Sequence, residues 1–194
     1  DYIEKAEKEG KDPYDYINED VSQIPAGCNK LLYLPYLMGE RTPHLDPDCR
    51  GVFFGLSAIH TRKDMLRAVM EGVSYSLKDC NDILKEMGVQ VEEMMACGGG
   101  GKSPIWRQML ADMYGCKVKT VTAKEGPALG VAILAGVGAG IYESVEAACD
   151  KVLHIDKECA PKKETSEIYR EYHKIYKNLY PALKEQYKEL AKLG

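Results

Sequence analysis

The chain has 194 residues, of which 45% are apolar, with 26 lysines and arginines against 30 acids and a net charge of −4. That is length for one good core or two small ones, and the mild acidity without a basic stripe argues against a nucleic-acid partner. No apolar run reaches bilayer length and no charged-then-apolar leader is present, so a cytoplasmic protein with no membrane contact is expected.

The polar, helix-compatible stretch from Tyr2 to Lys8 follows directly on Asp1, so the chain reads as a piece of something longer. Gly10 to Pro13 punctuate it, and Tyr14 to Val21 form a second short helix that ends at Pro25-Ala26-Gly27. Residues 1–30 are thus expected to be a helical N-terminal remnant. Leu31 to Leu37 read as a buried strand, with Pro35 allowing only an edge or a strand end. Gly39 to Gly51 are a long loop dense in turn formers and charge, and loops of that length are usually functional or disordered.

Thr61 caps a helix running to Met87, its apolar residues recurring at helical spacing, and Gly88 stops it. A strand from Val91 to Ala96 meets Gly98-Gly99-Gly100-Gly101. A helix from Pro104 to Met113, a strand from Lys117 to Val121 and a helix from Pro127 to Gly138 follow. Strand and helix alternating across short joints imply parallel strands, hence the α/β class. Ala128, Ala132 and Ala135 let the last of these helices pack closely on a sheet or helix, with Glu125-Gly126-Pro127 beside a ligand at the glycine turn. Ser144 to Asp156 hold a short helix and a strand or loop. Residues 161–194 carry an amphipathic helix whose stripe is Ile168, Tyr172, Ile175, Tyr176, Leu179, Leu183, Tyr187 and Leu190, with a kink expected at Pro181.

The seven cysteines are scattered and never spaced as C-x-x-C, which fits reduced thiols and no metal centre. The four glycines carry the chemistry. Residues without Cβ let a ligand lie against the main chain, and a helix start turns free N–H groups toward it; a plain strand-to-helix turn is the competing explanation. Neither the phosphate-cradling Walker pattern nor the dinucleotide pattern fits. The first needs a glycine where Ala96 stands, and the second ends on Ser103 or Pro104. A base or adenosine cradle fits the pattern better than a triphosphate clamp.

Several blocks resemble, in order, the C-terminal half of FGGY-type carbohydrate kinases. They are Tyr33 to His44, Arg50 to Leu56, Ala68 to Val73, Gly98-Gly99-Gly100 with Ser103, Trp106 and Gln108, and Gly126 to Gly130. The Gly39 to His44 block followed by Arg50 to Leu56 is most similar to the xylulose kinase branch. The resemblance implies an actin-like, ribonuclease-H-like ATPase fold, α/β, with residues 31–160 as the nucleotide-binding half and residues 161–194 as a helix packed on it. It implies ATP and Mg2+ as cofactors, ATP/ADP and a sugar, D-xylulose foremost, as partners, and a catalytic base and sugar pocket outside this chain. A non-catalytic nucleotide-binding or regulatory module on the same fold, or a kinase for another sugar or polyol, is the alternative.

By the same resemblance Gly98, Gly99, Gly100 and Gly101 are the adenosine-motif glycines, and Ser103 stands where family members contact the adenine. Arg41 either neutralises phosphate charge in the cleft or forms a salt bridge with Glu40 or Asp46. His44 reads as a loop hydrogen-bonder and Lys102 as a solvated side chain. An open strand edge leaves room for self-association, a homodimer included.

Overall fold

The computed structural model describes residues 1–122 and 126–193. Two short helices, α1 (Tyr2–Glu9) and α2 (Pro13–Ser22), lead to a hairpin of β1 (Leu32–Leu34) and β2 (Val52–Phe54). The long helix α3 (Arg62–Glu86) follows, then β3 (Glu93–Met95), α4 (Gly98–Lys102), α5 (Pro104–Tyr114) and β4 (Lys117–Val121). The chain closes with α6 (Gly126–Gly138), α7 (Val145–Val152), β5 (Ile155–Cys159) and α8 (Lys163–Ala191).

Local chemistry sets these boundaries. Asp12 accepts a hydrogen bond from the Tyr14 amide, and Pro13 opens α2. At the start of α3 the Asp64 carboxylate accepts from both the amide and the hydroxyl of Thr61, at 2.8 and 2.6 Å. Gly88, at φ +89°, turns the chain out of that helix. β1 is shorter than the apolar run around it. It ends at Leu34, before Pro35, although Leu31 and Tyr36 outside it are also buried.

Five strands form two sheets. β1 pairs antiparallel with β2 and packs on α3, while the second sheet has the order β3-β4-β5. β3 and β4 are parallel and joined through α4 and α5, as the alternation of elements predicts, and β5 runs antiparallel on the far side of β4.

The main core gathers around α3 and α8. Arg67 and Glu71 lie one turn apart on α3, both almost fully buried, with Arg67 Nε 2.7 Å from Glu71 Oε1. Arg67 also donates to the Val21 carbonyl at 3.1 Å and to the Tyr169 hydroxyl at 2.8 Å. That hydroxyl donates in turn to Glu71 Oε1 at 3.2 Å, and the Gly27 amide donates to Glu71 Oε2 at 3.1 Å. One ion pair therefore ties residues from α2, the turn after it, α3 and α8. Residues 1–30 are part of this core, with Val21 fully buried.

Two expected packing faces differ. On α8 the buried set is Tyr169, His173, Tyr176, Leu179, Tyr180 and Tyr187, while Ile168, Ile175 and Leu190 stay exposed. Hydroxyl partners decide this: Tyr176 reaches Tyr36 at 3.2 Å and Tyr180 donates to Asp46 at 2.8 Å, bonds that an aliphatic face cannot make. On α6 only Ile133 and Gly136 are buried, and Ala128, Ala132 and Ala135 are exposed alongside Val131 and Leu134. Among the small residues of α6 the close approach falls at Gly136, where a Cβ would lie 2.8 Å from the Tyr142 ring, and not at those alanines, and α6 packs chiefly on α7.

Replacing Arg67 with Ala should leave the Glu71 carboxylate buried without its counter-charge and lower stability by about 3 to 5 kcal/mol. Tyr169→Phe removes only one link and should cost about 1 to 3 kcal/mol. Urea unfolding followed by circular dichroism reads both, and equal stability of Arg67→Ala and the unaltered chain would show that the network holds nothing together.

Candidate functional site

β3 ends at Met95, and three residues later Gly98 takes φ +72°, a left-handed conformation that a side chain resists. The four glycines then form the short helix α4 instead of an open turn, which corrects the expectation of a loop followed by a helix at Pro104. Gly101 is required for a different reason: a Cβ there would lie 2.6 Å from the Ala96 carbonyl oxygen, so the helix presses on the end of the strand that precedes it. Gly99 faces open space, and a Cβ on Gly100 would meet the Trp106 ring at 3.3 Å.

Three contacts hold α4 in place. Arg107 Nη1 donates to the carbonyls of Gly101 and Lys102 at 2.6 and 3.1 Å, satisfying acceptors that the helix end leaves free. Ser103 caps α5, accepting from the Trp106 amide at 3.2 Å and donating to Asn18 on α2 at 2.6 Å. Trp106 Nε1 donates to the Ser74 hydroxyl on α3 at 2.9 Å.

A cavity of about 400 Å³ opens beside α4, bounded by Cys97, Gly98, Gly101, Lys102 and Arg107 on one side and by Thr120, Thr122, Gly126, Asp156 and Lys157 on the other. Two of its polar groups are buried without a hydrogen-bond partner among the described residues: Arg107 Nε and Thr120 Oγ1. Both side chains are only 8% exposed. A buried donor or hydroxyl left unpaired costs about 1 to 3 kcal/mol. Two lysines and an arginine against one aspartate give the cavity a positive balance, which suits a phosphorylated ligand.

The expected site residues separate here. Gly98 and Gly101 line the cavity and Gly126 faces them from the start of α6, whereas Glu125 lies outside the described residues. Ser103 does not line it. Its hydroxyl donates to Asn18 and accepts from the Trp106 amide, which makes it the cap of α5. Arg41 sits exposed on the loop after β1, away from the cavity, and makes neither of the salt bridges weighed for it. Glu40 instead accepts from the Thr42 amide, and Asp46 from Tyr180. His44 lies 3.2 Å from the Tyr36 hydroxyl and stacks on Tyr180 with centroids 3.7 Å apart. Burial pulls its pKa below the ordinary imidazole value, against the raising fields of Asp79, Glu40 and Asp46. Lys102 is exposed at the cavity's rim.

Arg107 and Thr120 escape the sequence reading. For Thr120 a signal exists: strand alternation puts it on the same inward face as Val118, where a hydroxyl is out of place. Arg107 on α5 carries none, because its partners are carbonyls of another element.

Comparison with known proteins places the chain. Residues 2–139 match the model of the FGGY family of carbohydrate kinases, C-terminal domain. A xylulose kinase of Staphylococcus epidermidis is 39% identical over 159 residues, 82% of this chain and 32% of that protein. A gluconokinase of Bacillus licheniformis is 36% identical over 190 residues, 97% of this chain and 37% of that protein. The crystal structure of a ligand-bound xylulose kinase from Lactobacillus acidophilus superposes with a TM-score of 0.84 at 27% identity, covering 97% of this chain and 39% of that one. The chain thus spans about a third of the length of the curated relatives it matches.

The glycines make opposite stability predictions. Gly98→Ala should cost about 1 to 2 kcal/mol through its left-handed backbone, and Gly101→Ala should destabilise through the clash with Ala96. Gly99→Ala, in a helix and facing open space, should stabilise by about 0.5 to 1 kcal/mol. Thermal unfolding of the three variants tests the ordering, and equal effects at Gly98, Gly99 and Gly101 would contradict this account of α4.

Proposed function

Because the chain belongs to the FGGY family of carbohydrate kinases, we propose that it is the nucleotide-binding part of an ATP-dependent kinase that phosphorylates D-xylulose to xylulose 5-phosphate. The observation that carries this reading is the cavity beside α4, where the backbone of Gly98 and Gly101 meets a lining that includes Lys102, Arg107 and Lys157. Gly98 and Gly101 form the inner wall of an adenosine cradle, with Gly99 and Gly100 on its outer side. The residues present fit a nucleotide. Among the described residues they offer one carboxylate, Asp156, and Mg2+ would arrive on the phosphates.

The division of labour follows from phosphoryl transfer itself. The reaction needs a base on the attacking hydroxyl and an in-line assembly of metal and phosphates, so it consists mainly of positioning and charge stabilisation. The chain supplies the nucleotide's seat. The base and most of the sugar contacts belong to the two thirds of the relatives' length that it does not span. The Gly39 to His44 block favours xylulose as substrate, while the gluconokinase likeness over 97% of the chain makes gluconate the competing sugar.

A panel of ketopentose, aldose, polyol and gluconate given to the intact parent decides between them. D-xylulose should be turned over best, and equal or better turnover of gluconate or glycerol would reject the assignment. The 194-residue chain alone should release no sugar-dependent ADP. Thr120→Val tests the cavity: ATP affinity of the parent should fall about tenfold, or 1.4 kcal/mol. The same substitution should leave stability equal or higher, because the hydroxyl it removes has no partner in the free protein. Unchanged ATP titration would remove this cavity from the nucleotide site.

A further inference from the structure

Away from the glycine cavity, α3 and α8 bring two carboxylates and an imidazole together. Asp79 and Asp82 stand three residues apart on one face of α3, and His173 meets them from α8. One ligand atom from each lies within 4.8 Å of the other two, and His173 Nε2 is 2.7 Å from Asp79 Oδ1. Asp79 and His173 are 7% and 8% exposed, whereas Asp82 is half-buried and paired with Lys78. The imidazole is already oriented: it lies nearly parallel to the Tyr75 ring, 5.6 Å away, and to the Tyr176 ring, 6.2 Å away.

A hydrogen bond between His173 and Asp79 explains only part of this arrangement. It uses one carboxylate, while Asp82 brings a second negative charge close by, and like charges in a half-buried setting repel. Lys78 offsets that charge from the side, but a divalent cation between the three groups would neutralise both carboxylates at once. A groove of about 190 Å³ runs beside the cluster, bounded by His44, Asp79, Asp82, Glu86 and the cationic Lys177, so water can reach the open side of an ion held there. The groove shares no residue with the cavity beside α4.

We infer that Asp79, Asp82 and His173 form a binding site for a divalent transition metal, zinc by its donor set, that clips the C-terminal helix to α3. Mixed imidazole and carboxylate ligands with water suit zinc, cobalt, nickel or manganese. Metal–ligand distances of about 2.1 Å put tetrahedral ligand atoms about 3.4 Å apart. The His173–Asp79 contact therefore opens slightly on binding and the Lys78 ammonium leaves Asp82. The imidazole binds through Nε2 with its proton on Nδ1. In the free protein Nε2 donates its proton to Asp79 Oδ1, so coordination displaces that proton: the ring keeps one proton on Nδ1 and any excess proton is released to solvent. The site's effect is mechanical: it ties α8 to α3 at a second place, beyond the Arg67–Glu71–Tyr169 network.

Titrating the metal-free chain with Co2+ gives the sharpest test, because coordinated cobalt absorbs visible light and thiolate ligands add a separate near-ultraviolet band. Saturation at one equivalent without the thiolate band, competition by Zn2+ and a higher Tm with Zn2+ are expected. Asp82→Asn should weaken binding about tenfold or more. His173→Gln should abolish it while keeping a side-chain hydrogen bond to Asp79 and the Tm of the metal-free protein. Absence of saturable binding overturns the inference. So does a thiolate band, which would assign the ion to cysteines such as exposed Cys97. Equal Co2+ binding by the unaltered chain and both variants would overturn it as well.

Discussion

The buried Arg67–Glu71 pair is the constraint on which the rest of the architecture depends. Two charges taken out of water at helix spacing are tolerable only when their remaining donors and acceptors are satisfied, and here the chain satisfies them with groups from three places. The Val21 carbonyl fixes the end of α2, the Gly27 amide fixes the turn after it, and the Tyr169 hydroxyl fixes α8. Gly27 itself has φ +83°, and a Cβ on it would fall 2.3 Å from the Tyr172 ring, so the same turn that delivers its amide to Glu71 also lets α8 approach. Removing any one of these groups leaves a buried charge short of a partner, which makes the helices cooperate instead of merely touching.

The glycine cradle is positioned by this core, although it does not belong to it. Asn18 on α2 holds Ser103, and Ser74 on α3 holds Trp106, whose ring backs Gly100. Ser74 is in turn anchored to the Met70 carbonyl at 2.8 Å. A conformationally permissive segment thus gains a defined geometry from rigid neighbours on both sides. Four glycines in succession are thereby kept from disordering the segment, because the surrounding helices supply the order that they lack.

Much of this organisation is legible in the sequence, and the failures have physical causes. α3 is legible from end to end because its apolar spacing, its Thr61–Asp64 cap and Gly88 agree. Strand lengths are overread because apolar runs report burial, whereas a strand needs a hydrogen-bonded partner; Leu31 and Tyr36 are buried beside β1 without belonging to it. On α8 the steps of three and four residues fit two neighbouring faces, and only the tyrosine hydroxyls, through partners on distant elements, choose between them. On α6 the sequence is apolar all round, so no periodicity selects a face. The glycine cradle is visible as a motif, but the role of Ser103 is not, since capping and ligand binding ask for the same hydroxyl. His173 and Asp79 stand 94 residues apart, and no local pattern joins them.

Unpartnered buried polar atoms occur among the described residues both in the main core, at Tyr75 and Tyr187, and beside the cavity, at Arg107 and Thr120. The Arg67–Glu71 network leaves none of its side-chain atoms without a partner, as a structural cluster should. Arg107 is divided: its Nη1 secures α4 through two carbonyls, while its Nε, in the same guanidinium, has no partner. Thr120 lies on the strand that faces it across the cavity and is likewise unpaired. A group that only braced α4 would gain stability by being fully paired or replaced by an apolar side chain, because unpaired buried polarity is a net cost to the free protein. Arg107 orders the glycine segment from one wall of the cavity, while Lys102 and Lys157 add positive charge at the same opening.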